Sequence, residues 1–164
     1  MFAKTISTAA LGLVVCSSAL ASEGIAQRAD ITLPLANQLI EATLEACHEQ
    51  DRTAVVAVVD RGGNLVAVQR DDNVGPHNTL AAQRKAFTSL STKNSSRALS
   101  DFARNTPDAE NLDSLDELLL LGGGVPLKVE GQVIGAIGVA GAGGAEIDES
   151  CALTAIDKVL PKTL

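Results

Sequence analysis

Apolar residues recur along this chain with two periods, one typical of helices and one typical of strands. The segment ADITLPLANQLIEATLEACHEQ places apolar side chains at helical spacing, including Leu35, Leu39 and Cys47. Thr32 is suited to cap this helix, and Pro34 falls in its first turn, where the missing N–H removes no hydrogen bond. The other face is polar, so we expect the helix to pack on a further element through one side.

Two later segments have the pattern of β-hairpins. In TAVVAVVDRGGNLVAVQRDD, two β-branched runs flank residues 60–64, where Gly62 and Gly63 offer the positive φ angles of a tight turn. In GGGVPLKVEGQVIGAIGVAGAGG, the corresponding turn lies at residues 130–132. Four strands joined in pairs by short turns predict a largely antiparallel sheet.

Between the hairpins lie about fifty residues of helical or loop character. NTLAAQRKAFTSL predicts a helix that Asn78 is suited to cap, with Leu80, Phe87 and Leu90 on one side. STKNSSRALSDFARN predicts a second, short helix with its apolar side chains, including Phe102, directed inward. TPDAENLDSLDELLLL carries no clear signal for either element.

The last segment, IDESCALTAIDKVL, is again amphipathic, and Asp148 and Glu149 lie in its first turn, where negative charge is favourable. The order of elements is therefore helix, hairpin, helices, hairpin, helix, with no internal repeat and no linker. This order predicts an α/β domain of the α+β type, in which a single antiparallel sheet of two hairpins is flanked by helices, as in the layered domains of profilin and PAS proteins.

The first 21 residues predict a cleaved secretory signal. MFAK carries one positive charge, TISTAALGLVV is an apolar run too short to span a bilayer, and Ala19 and Ala21 form an A-x-A site. Val15 argues against lipidation of Cys16, because a lipoprotein signal needs a small residue before its cysteine. We expect cleavage after Ala21, a single mature domain over residues 22–164, and a periplasmic or secreted protein without a membrane attachment.

Composition and charge narrow the classes of partner. The chain has 164 residues with 46% hydrophobic and 20% charged, enough for one domain with a core. Its net charge of −7 argues against binding nucleic acid through phosphates. Cys47 and Cys151 remain after removal of the signal, and they form either a disulfide that closes a loop of about 100 residues or two buried thiols.

The glycine-rich segments do not match nucleotide-binding fingerprints. GAGGAE has Glu146 at the third glycine position, and no further strand follows it. Residues 122–124 lack the Gly-Lys-Ser/Thr ending of a phosphate loop, so Gly123 and Gly124 serve either a backbone bend or the close approach of a flat ligand. G-x-S-x-G, zinc-site spacings and C-x-x-C-H are absent, so hydrolase, zinc and covalent haem chemistry are not indicated.

His77 is the main candidate for chemistry. It follows a Gly-Pro turn and precedes a helix, which suits an axial ligand to iron or a proton shuttle, although a surface histidine in a solvated loop is the simpler interpretation. Arg70, Arg84 and Lys85 lie near it in sequence and offer cations for the carboxylates of a substrate or a porphyrin. His48 borders the apolar stripe of the first helix and is either a second candidate or a helix-end residue.

Four segments carry a family resemblance: VVAVVDRGGNLVAVQRDD, GPHNTLAAQRKAFT, LGGGVPLKVEGQVIGAIGVAGA and DESCALTAID. Together they cover most of residues 35–160, and they resemble the GlcG/HbpS-like haem-binding family, which includes the C-terminal domain of PduO-type proteins. The resemblance implies an antiparallel sheet flanked by helices, assembly into homo-oligomers such as dimers or larger rings, and non-covalent haem binding in some members. Some of those members are exported.

For this chain the resemblance implies that His77 ligates iron, with His48 as the second choice. The remaining residues expected at the cofactor are those that would pair with propionates or approach the macrocycle: Arg70, Arg84, Lys85, Gly123 and Gly124.

The leading hypothesis is an exported protein that handles or senses haem, with a sensor or transport protein as an expected partner. One alternative is an enzyme or accessory factor in which His77 acts as acid or base on a small anionic metabolite. Another is a structural or signalling oligomer without a ligand. Whether the protein is an enzyme stays open at this stage.

Overall fold

A four-stranded antiparallel sheet forms the centre of the fold. The structure is a computed structural model that describes residues 24–160, so the predicted signal sequence lies outside the described residues. The strands are β1 (Val55–Asp60), β2 (Leu65–Arg70), β3 (Gly124–Val129) and β4 (Gln132–Ala140), in the spatial order β2-β1-β4-β3. The predicted α+β class and the single antiparallel sheet are confirmed.

Both turns lie where the sequence places them. At the first turn, one carboxylate oxygen of Asp60 accepts hydrogen bonds from the amide N–H groups of Gly62 and Asn64, each at 2.8 Å. At the second turn, Glu130 and Gly131 have φ angles of 48° and 74°. Two successive positive φ angles are typical of the type I′ turn, whose twist matches that of the paired strands.

The two hairpins join through their inner strands, β1 and β4. Val55 pairs with Ala140 and Asp60 pairs with Gly135, so both tight turns lie at the same end of the sheet. We call this the hairpin end. At the other end, here called the open end, β1 begins at Val55, and its register partner Arg70 ends β2.

Helices cover both faces of the sheet. They are α1 (Leu33–His48), α2 (His77–Thr92), α3 (Ser96–Asn105) and α4 (Ala145–Val159), and a short 3₁₀ helix spans Pro107–Ser114. α1 and α4 pack against each other on one face, whereas α2 lies on the other face with α3 beside it. Between residues 24 and 160, the structure has no helix that is both long and apolar enough to span a bilayer.

α1 forms as its sequence predicts. The Thr32 hydroxyl accepts a hydrogen bond from the Leu35 amide at 3.4 Å, and Pro34 lies in the first turn. Leu39 and Ile40 are fully buried on its inner side. Burial of side chains of this size stabilises the fold by about 1.5 to 3 kcal/mol each.

Successive side chains of β1 point to opposite faces of the sheet, so the hydrophobic core has one part on each face. Val56 and Val58 point towards α1 and α4, while Val55 and Ala57 point towards α2 and contact Ala82. All four strand residues are fully buried, so β1 has no polar face.

Two local predictions are wrong. α2 begins at His77, and Asn78 does not cap it but lies inside the first turn and donates from its side chain to the Gly75 carbonyl at 3.1 Å. In α3, Leu99 is buried, but Phe102 is 53% exposed because it lies on a flank of the helix outside the buried stripe. The amphipathic pattern therefore predicts this helix correctly but assigns one residue too many, Phe102, to its buried side.

A disulfide links the two helices on one face of the sheet. Cys47 of α1 and Cys151 of α4 are bonded, with their Cα atoms 5.3 Å apart and a sequence separation of 104 residues. Both residues are fully buried. The sequence allowed either a disulfide or two buried thiols, and the structure has the disulfide.

Removal of this disulfide is expected to lower stability substantially. The double variant Cys47→Ala/Cys151→Ala should lose about 4 to 5 kcal/mol of unfolding free energy, because closing a loop of this length restricts the unfolded chain. Denaturant unfolding measures the loss, and the unsubstituted protein under reducing conditions is the control. Equal unfolding free energies for the variant and the oxidised protein would contradict the prediction.

The first turn predicts a pH effect. Burial raises the pKa of Asp60, but hydrogen bonds from Asn64, Gly62 and Gly63 outweigh it and hold that pKa below its usual value of 3.8. The carboxylate therefore stabilises the fold above about pH 4, and this stabilisation is lost as the pH falls through the folded-state pKa. Asp60→Asn keeps an acceptor oxygen without the charge, so its deficit in unfolding free energy should shrink below pH 4. A deficit that is independent of pH would argue against this account.

Candidate functional site

His77 lies exposed at the open end of the sheet, as the first residue of α2. The loop before it is held in place because Val74 and Asn78 pack against Gly141, directly after β4. The His77 ring packs beside Gly75, where a Cβ would lie only 3.0 Å from it. Within residues 24–160, no side chain or backbone group hydrogen-bonds to the His77 imidazole. The ring is therefore available to an external group.

His48 is in a different situation. It is the last residue of α1, and its Nε2 lies 2.9 Å from Oδ2 of Asp71. The same carboxylate oxygen accepts a hydrogen bond from the Ala54 amide at 2.8 Å. His48 thus connects the end of α1 to the segment after β2, and coordination of a metal through Nε2 would break that contact.

An apolar groove lies between α2 and the edge strand β2. α2 packs mainly on β1, β3 and β4, so the side of β2 that faces α2 is left partly uncovered. Leu65 pairs with Val59 and therefore shares its face, towards α2. Leu65, Leu80, Arg84 and Phe87 line a cavity of about 240 Å³, and the Leu80 side chain is 60% exposed. We call this the α2–β2 groove.

His77 and two arginines lie on the same side of α2 as the groove. His77, Leu80 and Arg84 follow each other at intervals of three and four residues, which places them on one helical face. Arg84 donates from Nη2 to the Leu118 carbonyl at 2.6 Å, while its buried Nε has no partner among the described residues. Arg70 is exposed at the open end of the sheet, and its register partner Val55 faces α2. Arg84 lines the groove together with the exposed carboxylate of Glu117, whereas His77 and Arg70 lie outside this lining, at the open end of the sheet.

Lys85 lies inside the protein. Its side chain is almost completely buried, and Nζ donates to Oδ2 of Asp148 at 2.7 Å and to the Val139 carbonyl at 2.9 Å. The other oxygen of Asp148 accepts a hydrogen bond from the Ala142 amide at 2.9 Å. Both charged groups are thus hydrogen-bonded within the protein, and this pair joins α2 to α4.

Gly124 lies beneath α2, and Gly123 lies against β4 and α4. A Cβ at Gly124 would overlap the carbonyl oxygen of Lys85, and a Cβ at Gly123 would lie 2.8 Å from the Asp148 Cβ. These glycines permit the close approach of a helix rather than that of a flat ligand. The structure thus separates the predicted residues into a surface group (His77, Arg70, Arg84), an internal group (Lys85, Gly123, Gly124) and His48.

Sequence reasoning missed the apolar members of the groove. Leu65 and Leu80 come from different elements, and the helical pattern assigns Leu80 to one side of α2 without a role in binding. Its spacing of three residues from His77 was the available signal. In the described part of the chain, residues 24–160, no group of three or more His, Cys, Asp or Glu residues is placed to hold a metal ion.

Known proteins share this sequence pattern and fold. Residues 31–157 match the family described as "Haem degrading protein HbpS-like". The chain is 34% identical to Protein GlcG of Escherichia coli (strain K12) over 105 residues, which is 64% of this chain and 77% of that protein.

Two crystal structures extend the likeness to three dimensions. That of HbpS has 34% identity and a TM-score of 0.78, with 85% of this chain and 96% of HbpS covered. That of a PduOC:haem complex has 27% identity and a TM-score of 0.75, with 82% of this chain and 98% of the other covered.

The buried ion pair predicts a pattern of stability effects. Lys85→Met leaves the Asp148 carboxylate buried without its counter-charge, and we expect a loss of about 3 to 5 kcal/mol in unfolding free energy. The double variant Lys85→Met/Asp148→Leu should lose less than the sum of the two single variants. Denaturant unfolding of all four proteins gives the coupling energy. Additive losses would show that the two groups do not depend on each other.

Proposed function

The chain belongs to the haem-degrading HbpS-like protein family, and on that basis we propose that it binds haem non-covalently with His77 as a ligand to the iron. The observation that carries this proposal is the His77 imidazole, which is exposed one helical turn before Leu80 of the groove and has no hydrogen-bond partner among the described residues. His48 is a weaker candidate because Asp71 already holds its Nε2.

The residues around the groove fit the chemistry of a porphyrin. Haem would supply an iron that a neutral imidazole can ligate. In the proposed site His77 presents that imidazole, and Leu65 and Leu80 contact the apolar macrocycle. Arg70 and Arg84 are suited to pair with the propionates. We leave Lys85 out of the site because Asp148 and the Val139 carbonyl occupy its ammonium.

The size of the groove bears on the mode of binding. Its volume of about 240 Å³ is smaller than the roughly 300 to 1,000 Å³ of sites that enclose a ligand. We therefore propose that the site would enclose haem only in part and leave a face of it accessible, which suits handling or sensing. An accessible face leaves room for a second copy of the chain in a homo-oligomer, or for a sensor or transport protein.

We also propose that the protein acts after export, in the periplasm or outside the cell. The predicted signal over residues 1–21 supports this location. The Cys47–Cys151 disulfide supports it as well, because such bonds persist in oxidising compartments.

A second candidate function uses the same residues on a different ligand. The buried, unpaired Nε of Arg84 favours an acceptor group in the groove, such as the carboxylate of a small metabolite. His77 would then act as acid or base on that metabolite. A haemin titration separates the two functions, because the first predicts saturable binding of haemin and the second predicts none.

The test is a spectroscopic titration of residues 22–164 with haemin. We expect saturable one-to-one binding with a shifted Soret band, and a loss of at least about tenfold in affinity for His77→Ala, since one metal–ligand bond is removed. His48→Ala is the matched control, because it also removes one imidazole, and it should bind as the unsubstituted protein does. Added imidazole should restore the Soret band of His77→Ala.

Two results would count against the proposal. Absence of saturable binding would favour the metabolite, and turnover screening of His77→Ala would then follow. Equal haemin affinity in both histidine variants would remove His77 from the site. Circular dichroism of each variant confirms that α2 still forms when its first residue is changed.

A further inference from the structure

A second, larger cavity lies at the hairpin end of the sheet. Its volume is about 580 Å³, and three cationic side chains, Arg28, Arg61 and Lys93, line it together with apolar ones that include Phe87 and Leu90. We call it the cationic cleft. No Asp or Glu is among the described residues that line it. In a chain with a net charge of −7, a cleft lined by three cations and no carboxylate is a local region of positive potential.

Arg61 is the fixed cation of the cleft. Its Nη1 donates to the Val133 carbonyl at 2.9 Å, and its backbone N–H donates to Oδ1 of Asp30 at 2.9 Å. The Asp30 carboxylate therefore receives backbone N–H groups, from Ile31 as well as from Arg61. No carboxylate within residues 24–160 pairs with the Arg61 guanidinium, so its other nitrogens remain available in a held orientation.

Two further cations complete the cleft from different segments. Lys93 follows α2 with a φ of 60°, and Arg28 lies in the extended segment before α1. Neither has a polar partner among the described residues. Three separate parts of the chain thus bring unpaired positive charge to one cavity.

The apolar side of the cleft comes from the end of α2. The Phe87 ring packs against Gly63, where a Cβ would lie 2.9 Å from Cε2, and Leu90 lies beside it. This close contact holds the ring in place. The cavity volume falls in the range typical of small-molecule sites, which combine apolar surfaces with a few placed polar groups.

We propose that the cationic cleft binds a small organic anion, with an apolar body against Phe87 and Leu90 and a carboxylate or phosphate group at Arg61, Lys93 and Arg28. Guanidinium groups match both of these anions through paired hydrogen bonds. This site goes beyond the proposed haem function. Lys93 lies 16 residues after His77, about 24 Å along the axis of α2.

The test uses 1-anilinonaphthalene-8-sulfonate, which joins an aromatic body to one negative charge. We expect saturable fluorescence enhancement and an affinity at least about tenfold lower in Arg28→Gln/Lys93→Asn, because two charges that face the anion are removed. Asn is chosen at residue 93 because it tolerates the left-handed backbone there. Arg104→Gln/Lys128→Gln is the control with the same change in net charge, and it should bind as the unsubstituted protein does.

A neutral analogue and two competitors define the ligand class. N-phenyl-1-naphthylamine lacks the charge, so its affinity should be equal in the cleft variant and in the control. Benzoate or phenyl phosphate should displace the sulfonate probe, and the stronger competitor identifies the preferred anion. Failure of both to displace it, or equal probe affinity in the cleft and control variants, would overturn the proposal.

Phe87 lines both cavities, so the test also separates them. Leu80→Gln changes only the α2–β2 groove and should leave the affinity for the probe unchanged. Loss of the probe in this variant would place it in the groove and overturn the proposal. Haemin titration of the cleft variant should match that of the unsubstituted protein. A protein that binds the probe but not haemin would refute the proposed function alone.

Discussion

The close contact between α2 and the sheet is the constraint on which the rest of the structure depends. The helix lies so close to β3 and β4 that residue 138 can carry no side chain. A Cβ at Gly138 would overlap the Ala82 carbonyl oxygen. The small residues Ala82 and Ala86 form the side of α2 that faces the sheet. This contact also places the α2 backbone directly over Gly124. Because dense packing allows little adjustment, the helix has one position, and that position determines where each of its outward side chains lies.

Ion pairs with buried carboxylates hold the helices around that contact. Asp148 of α4 pairs with Lys85 of α2, and Glu149 pairs with Arg97 of α3. Each acidic side chain is buried, so removing its partner would leave a charge without compensation. Two neighbouring carboxylates on one helix thus join three helices together. The pair with Asp148 withdraws Lys85 from the surface, which leaves the binding chemistry to cations that no carboxylate within residues 24–160 neutralises.

α2 connects the two proposed sites because its ends lie at opposite ends of the sheet. His77 begins the helix at the open end, one turn before Leu80, which lines the α2–β2 groove. Phe87 and Leu90 lie on the last turns, where they form the apolar side of the cationic cleft. A rigid helix can present different chemistry at each end because its backbone is held along its whole length. Phe87 contributes to both cavities, so it is the side chain through which a ligand in one could influence the other.

The sequence by itself determined the elements whose signals are local. Both turns follow from glycines and an Asp60–Asn64 pattern within a few residues, and α1 follows from Thr32, Pro34 and its apolar period. Tertiary structure decided what depends on contacts between distant segments. Asp148 is 63 residues from Lys85, and nothing within a few residues of Lys85 distinguishes a buried ion pair from an exposed cation. The pairing of β1 with β4 and the groove between α2 and β2 were decided in the same way, because packing selects among arrangements that have the same local pattern.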